Sequence, residues 1–322
     1  MKVALIGATQ YARNHLACLR QMPGVAIVGI ANRSLAPAAA AARDFGGKAF
    51  DNIEAMLDET RPDAVVICLI PGAHGEAERQ VAARNLPFLV EKPVALDLET
   101  ARAIEREVIA RKLITAVGYQ WRYLDLVERM RRHLAGARAL LAEGFWLSKA
   151  PSSAWWNDPA LSGGQLVEQA THMVDLARYL LGEPEAAHAV LAPPVPGRRV
   201  AAATALSLRF PGPVPAVITC ACALPVRYRC GFVLHTEEAV LELMSVASGM
   251  ANVVLTVKTA AGEEALRPGI DPIMAQDEAF VNAARSGDPA GIRCAYPDAV
   301  RTLALSLAAV RSAEDGVLAA LE

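Results

Sequence analysis

Short apolar runs alternate with amphipathic stretches through the first third of the chain. Residues 3–6, 25–30, 64–69, the run ending at Val90, and 114–117 are each a few residues long and almost wholly apolar. That is the pattern of strands buried on both faces. Between them, residues 10–21, 35–45, 75–84 and 97–111 carry apolar positions at helical spacing. Strands separated by crossover helices predict a doubly wound parallel sheet, an α/β fold with a Rossmann-type first domain over residues 1–118.

The rhythm changes after Gly118. A helix is expected over 124–134 and a strand over 140–147, followed by a loop with Pro151, Ser152, Ser153 and the pair Trp155-Trp156. A helix then starts at Ser162, with Gln165 placed to complete a capping box, and stops at Gly182 before Pro184. The strand-like runs 202–210, 216–223, 229–234, 240–243 and 252–257 follow without helices between them. Together they predict an open, mostly antiparallel sheet, and two helices near 272–285 and 297–313 close the chain. The second domain is thus expected to be α+β and to run over residues 119–322.

At 322 residues and 53% hydrophobic composition the chain is large enough for two cored domains. A net charge of −2, with Lys and Arg dispersed, leaves no footprint for nucleic acid or an anionic membrane. Neither partner is expected. The six cysteines form no CxxC pair and no metal-ligand spacing with histidine, so they read as small buried hydrophobes with no metal site. Met1-Lys2 leads directly into a five-residue apolar run, too short for a signal segment, and no stretch is apolar enough to span a bilayer. A cytoplasmic protein is expected.

The candidate chemistry begins with Lys92, in Glu91-Lys92-Pro93 directly after the strand ending at Val90. A lysine at the end of a buried strand is a positioned lysine. The helix from Ser162 is expected to set Glu168 and His172 on one face, four residues apart. Lysine, histidine and carboxylate are the set required for proton transfer at a hydroxyl whose carbon gains or loses hydride. Gly7-Ala8-Thr9-Gln10-Tyr11-Ala12 stands where a dinucleotide-binding turn belongs, with Thr9 in place of the second glycine. That fragment alone reads equally as an ordinary β-α turn. The second strand ends in Asn32-Arg33-Ser34 without an acid for a ribose hydroxyl, which suits a 2′-phosphate and favours NADP over NAD. Trp155 and Trp156 suit either stacking on a sugar ring or a lid over the core.

With these residues in view, the chain resembles the Gfo/Idh/MocA family of oxidoreductases along essentially its whole length. The resemblance rests on the first turn as far as His15, on Pro71 and His74, on Glu91-Lys92-Pro93, on Gly118-Tyr119-Gln120-Trp121-Arg122, and on Gly163-Gly164 through Glu168, His172 and Asp175. It implies a Rossmann domain and a substrate-binding domain whose open sheet also serves a homo-oligomer, dimer or tetramer. It implies Lys92, His172 and Glu168 as catalytic groups. The cofactor would meet Gly7, Ala8, Thr9, Gln10, Tyr11, Asn32, Arg33, Ser34, Leu69, Ile70, Pro71, His74, Glu91, Lys92 and Arg122; the substrate would meet Lys92, Gln120, Arg122, Trp155, Trp156, Glu168 and His172. Glu168 departs from the family's usual Asp. The expected activity is an NAD(P)-dependent, NADP-preferring dehydrogenase or reductase acting on a hydroxyl/carbonyl carbon of a sugar, cyclitol or related polyol. The alternatives are a non-catalytic dinucleotide-binding regulator, and an enzyme using tightly held nicotinamide for transient oxidation during elimination or hydrolysis.

Overall fold

The structure is a computed structural model that describes residues 1–245 and 250–321. Two compact units emerge: Met1–Gln120 with Pro272–Val300, and Trp121–Asp271 with Arg301 to the C-terminus. The stretch 119–322, expected as one domain, is therefore interrupted.

In the first unit β1 (Lys2–Ile6), β2 (Ala26–Ala31), β3 (Lys48–Phe50), β4 (Ala64–Ile67), β5 (Phe88–Val90) and β6 (Thr115–Val117) alternate with α1 (Ala12–Gln21), α2 (Leu35–Phe45), α3 (Ile53–Thr60), α4 (Glu76–Ala83) and α5 (Leu98–Arg111). The strands pair in parallel in the order β3-β2-β1-β4-β5-β6. This is the doubly wound arrangement, whose switch point at β1 and β4 is where ligands of such sheets bind. Its central strands are continuously apolar because both faces are covered: all of β4, β5 and β6 is buried. Local chemistry sets the helix ends. Asn52 and Asp97 accept from the amides of Ala55 and Thr100 at 2.8 and 2.7 Å, capping α3 and α5. Neither β3 nor α3 was expected, since β3 has only three residues and lacks a period-two pattern.

The second unit holds α6 (Asp125–Leu134), β7 (Ala139–Leu147), α7 (Pro159–Ser162), α8 (Gly164–Glu168), α9 (Thr171–Leu181), β8 (Ala186–Ala192), β9 (Ala203–Phe210), β10 (Val214–Ala221), β11 (Arg229–Thr236), β12 (Ala239–Ser245), β13 (Val253–Thr259) and β14 (Gly262–Leu266). Then α10 (Pro272–Ser286) joins the first unit, where Phe280 and Val281 pack in the core with Leu5, Leu16 and Leu19. Those two apolar side chains are the physical reason α10 groups with the first unit. The first turn of α11 (Tyr296–Asp315) also belongs to the first unit; its remainder and β15 (Ala319–Ala320) belong to the second.

The nine described strands of the second sheet run β14-β13-β12-β11-β7-β10-β9-β8-β15, antiparallel except for the β7–β10 pair. Alternation is clear in β9, where every second residue is buried. One face therefore carries the core, in which Leu206, Leu208 and Phe210 meet Met173, Val174 and Leu176 of α9.

Candidate functional site

At the end of β1, Gly7 adopts φ +97°, and a Cβ there would run into the Cys68 carbonyl. Only glycine lets the chain turn so close to β4. Thr9 turns toward the start of α1: its hydroxyl accepts from the Ala12 amide at 3.1 Å and lies 3.3 Å from Cys68 Sγ. The residue that replaces the second glycine thus directs its side-chain oxygen to the start of α1. Asn32 ties this turn to the end of β2, accepting from the Ala8 amide at 3.1 Å and donating to the Ser34 carbonyl at 3.2 Å. Gln10, Arg33 and Ser34 are exposed. A glycine turn leading into a helix at the switch point, with a cation and a hydroxyl at the end of β2, fits a dinucleotide.

Below that turn lies a buried ionic group that pattern reading does not reveal. His15 Nδ1 is 2.9 Å from Asp277 Oδ2, and its Nε2 is 3.2 Å from Glu91 Oε1. Burial opposes charge on this imidazole, but the Asp277 and Glu91 carboxylates outweigh it and hold its pKa well above the ordinary range. Tyr11 packs edge-on to His15, its centroid 5.7 Å away. Burial, and then the Glu91 charge, push the Tyr11 phenol up, so it stays neutral. Of the expected cofactor residues, Tyr11 and Glu91 therefore face His15. Lys92 follows Glu91 at the end of β5, half-buried, its peptide bond to Pro93 cis. His74, after the turn Pro71–Ala73, places Nδ1 2.6 Å from Glu78 Oε1. Its buried Nε2 has no hydrogen-bond partner among the described residues. Leu69 and Ile70 are half-buried, and Gln120 is buried with Oε1 likewise unmatched among the described residues.

In the second unit, the single helix expected from Ser162 is two, α8 and α9, and Ser162 itself ends α7. Asp158 caps α7, while the Ser162 hydroxyl accepts from the Gly164 amide at 3.1 Å. Gln165 does not complete a capping box; its amide donates to the Trp146 carbonyl at 3.1 Å. Gly163 and Gly164 both have positive φ, which divides the run. Glu168 ends α8 and His172 lies in the first turn of α9, so the two residues do not belong to one continuous helix.

Tertiary partners orient the two side chains instead. The Trp156 indole N–H donates to Glu168 Oε2 at 2.8 Å. Trp156 is 1% exposed and packs with Val200 and Cys222, with the half-buried Trp155 against them. His172 is buried, and its imidazole stacks on Trp146 with centroids 5.6 Å apart and planes inclined by 21°. Three residues on, Asp175 receives a two-pronged contact from Arg122, Nε to Oδ2 at 2.7 Å and Nη2 to Oδ1 at 2.6 Å. The Thr302 hydroxyl donates to Asp175 Oδ1 at 2.9 Å. Arg122, expected at the cofactor and substrate, is thus buried against α9, with its guanidinium 4.7 Å from the Tyr179 ring centroid. Trp146 escapes a motif search because a tryptophan in a strand has no spacing signature.

All six cysteines are buried and reduced, and burial pushes the Cys68 thiol up to about 11. No cluster of His, Cys, Asp or Glu among the described residues could hold a metal ion.

Two family models match the chain: an oxidoreductase family with an NAD-binding Rossmann fold over residues 1–119, and the Gfo/Idh/MocA C-terminal domain over residues 138–242. This chain belongs to the Gfo/Idh/MocA family. Among curated relatives, glucose-6-phosphate 3-dehydrogenase of Bacillus subtilis is 24% identical over 56% of this chain and 53% of its own length. Levoglucosan dehydrogenase of Pseudarthrobacter phenanthrenivorans is 31% identical over 55% of this chain and 47% of its own. The chain thus spans about half the length of the curated relatives it matches. Structural likeness extends further. A levoglucosan dehydrogenase in complex with NADH and levoglucosan superposes with a TM-score of 0.89 at 21% identity, covering 99% of both chains. The WlbA dehydrogenase of Bordetella pertussis, in complex with NADH and UDP-GlcNAcA, gives 0.87 at 21% identity, covering 100% of this chain and 99% of the other. At that identity the likeness establishes the fold.

Proposed function

We propose that the protein is an NAD(P)-dependent dehydrogenase or reductase, NADP-preferring, acting on a hydroxyl/carbonyl carbon of a sugar, cyclitol or related polyol. The observation that carries this reading is the preparation of two proton-handling groups in the family's substrate domain. His172 is a buried imidazole with its ring against an indole, and Glu168 is a carboxylate held by a buried N–H. The named activities of the relatives, which include a levoglucosan dehydrogenase and an inositol 2-dehydrogenase, support the substrate class.

Bound nicotinamide would supply the hydride acceptor or donor. In oxidation the His172 imidazole takes the hydroxyl proton as the carbonyl forms, and in reduction it returns it. Lys92 Nζ stabilises the developing charge on that oxygen and relays the proton. Glu168 accepts a hydrogen bond from the substrate and fixes its orientation. Gly7, Ala8, Thr9, Gln10 and Tyr11 would hold the pyrophosphate side, Arg33 and Ser34 a 2′-phosphate. Leu69, Ile70, Pro71, His74 and Gln120 would line the nicotinamide and substrate side. We assign the enzyme to the cytoplasm, in keeping with its six buried cysteines.

The test is a panel of sugars and polyols screened with NADP and NAD by nicotinamide absorbance. Reduction of NADP by a polyol or sugar is expected. No change in nicotinamide absorbance with either dinucleotide across the panel would overturn the reading.

A further inference from the structure

Trp146 sits on β7, between β11 and β10 near the middle of the second sheet, with its ring against His172. Three features of the surrounding sequence hold it there. Gly144 lies two residues earlier on the same face of the strand, and a Cβ at that position would lie 2.9 Å from Met173 Cβ and 3.2 Å from Ile218 Cγ1. The missing side chain lets α9, and with it His172, approach β7 more closely than any other residue would allow.

The neighbours of Trp146 across the sheet are Cys220 on β10 and Cys230 on β11. Both are small and fully buried, and burial pushes both thiols up to about 12, so two compact, neutral groups flank the indole. Gln165, from α8, donates to the Trp146 carbonyl at 3.1 Å and fixes the strand end from the helix side. Core packing alone calls only for a large apolar group at position 146. It does not call for a flat ring inclined 21° to an imidazole, a glycine under the helix and cysteines on both flanks.

We infer that Trp146 is a positioning residue that sets the ring plane of His172. The inference rests on the proposed role of His172 as the acid/base. Rotation about the last side-chain torsion of histidine is soft, so an unrestrained imidazole samples a broad range of planes. A proton acceptor must face one substrate oxygen, and misplacement by about 1 Å costs on the order of 100-fold in rate. The indole face restricts that torsion and leaves the imidazole presented in one orientation.

The test compares Trp146→Phe, Trp146→Leu and His172→Gln in the full chain, with two readouts. In the free protein, the His172 ring-proton resonance, identified by its loss in His172→Gln, is expected upfield through the indole ring current. It should move downfield in Trp146→Leu and stay partly upfield in Trp146→Phe. In turnover, Trp146→Leu should lower kcat about tenfold or more with dinucleotide Kd unchanged, while Trp146→Phe stays within about threefold of wild type. Trp146→Met, bulky but without a ring, replaces Trp146→Leu if the latter does not fold. An unshifted His172 resonance in Trp146→Leu or its Met substitute, or full kcat in that ring-less variant once its resonance has moved, would overturn the inference. Should His172→Gln itself retain full turnover, the acid/base assignment fails instead, and the resonance still reports whether the stack exists.

Discussion

Among single residues, the sharpest expectations attach to the side chains whose partners are defined. Lys92→Ala and His172→Ala should each lower kcat by about 100-fold or more, with cofactor affinity nearly unchanged in His172→Ala. Steady-state kinetics check this, and near wild-type turnover in either variant removes that residue from the mechanism. Glu168 sharpens a second expectation, because Trp156 donates to it at 2.8 Å. Aspartate is shorter by one methylene and would lose either the indole or the substrate, so Glu168→Asp should lower kcat/KM by about tenfold without unfolding the protein. Trp156→Phe keeps most of the packing, removes the donor and should move kcat/KM in the same direction. Unchanged constants in all of these would place Glu168 outside the site. On the cofactor side, Arg33→Ala should weaken NADPH but not NADH by about 1.5–3 kcal/mol, the scale of a charge-assisted hydrogen bond. Equal losses for both cofactors in a fluorescence titration would sink the NADP preference.

At the scale of elements, the placement of α9 on the sheet decides whether the site exists. Two contacts set it: Gly144 beneath Met173, and the Arg122–Asp175 pair, buried at 3% and 1% side-chain exposure. Removing one partner of a buried pair leaves the other uncompensated and costs about 3–5 kcal/mol. Asp175→Ala should therefore lower stability by that order in a denaturant titration, and Gly144→Ala should cost about 1–3 kcal/mol by overpacking. A neutral Asp175→Ala would mean that Arg122 finds another partner, and the substrate or cofactor contact expected from its sequence position would regain weight. This scale also explains why pattern reading joined what the fold divides. The run from Ser162 to Leu181 has helical composition throughout, yet Gly163 and Gly164 take positive φ and the chain re-enters helix twice. A capping pattern records which side chains could bond locally. Gln165 bonds instead to Trp146, 19 residues away in sequence.

For the whole molecule, the buried His15 links stability to pH. Its folded pKa is raised, so the stabilisation it provides is complete below the ordinary histidine value and is lost as pH rises through the folded one. Thermal melts of the wild type between about pH 6 and pH 10 should show that alkaline loss, and His15→Gln should be less stable at the low end, lack the slope and approach the wild type at the alkaline end. Equal slopes in the two proteins would show that His15 is neutral when folded. Light scattering should find a dimer or tetramer, because the second sheet leaves Val190 and Val217 exposed on one face at 62% and 36%; a monomer at micromolar concentration would refute that. The sequence by itself determined the alternation of strand and helix, the parallel sheet, the glycine turn and Lys92 at a strand end, and it supplied the proposal of His172 and Glu168. All of these are carried by local periodicity or by motifs within a dozen residues. Only the tertiary structure decided that Pro272–Val300 returns to the first unit, that Arg122 pairs with Asp175, and that Trp146 and Trp156 orient His172 and Glu168. Each of those is a contact between distant parts of the chain, where the partner is selected by packing space and by the need to satisfy a buried polar group, and no periodicity in the sequence encodes either one.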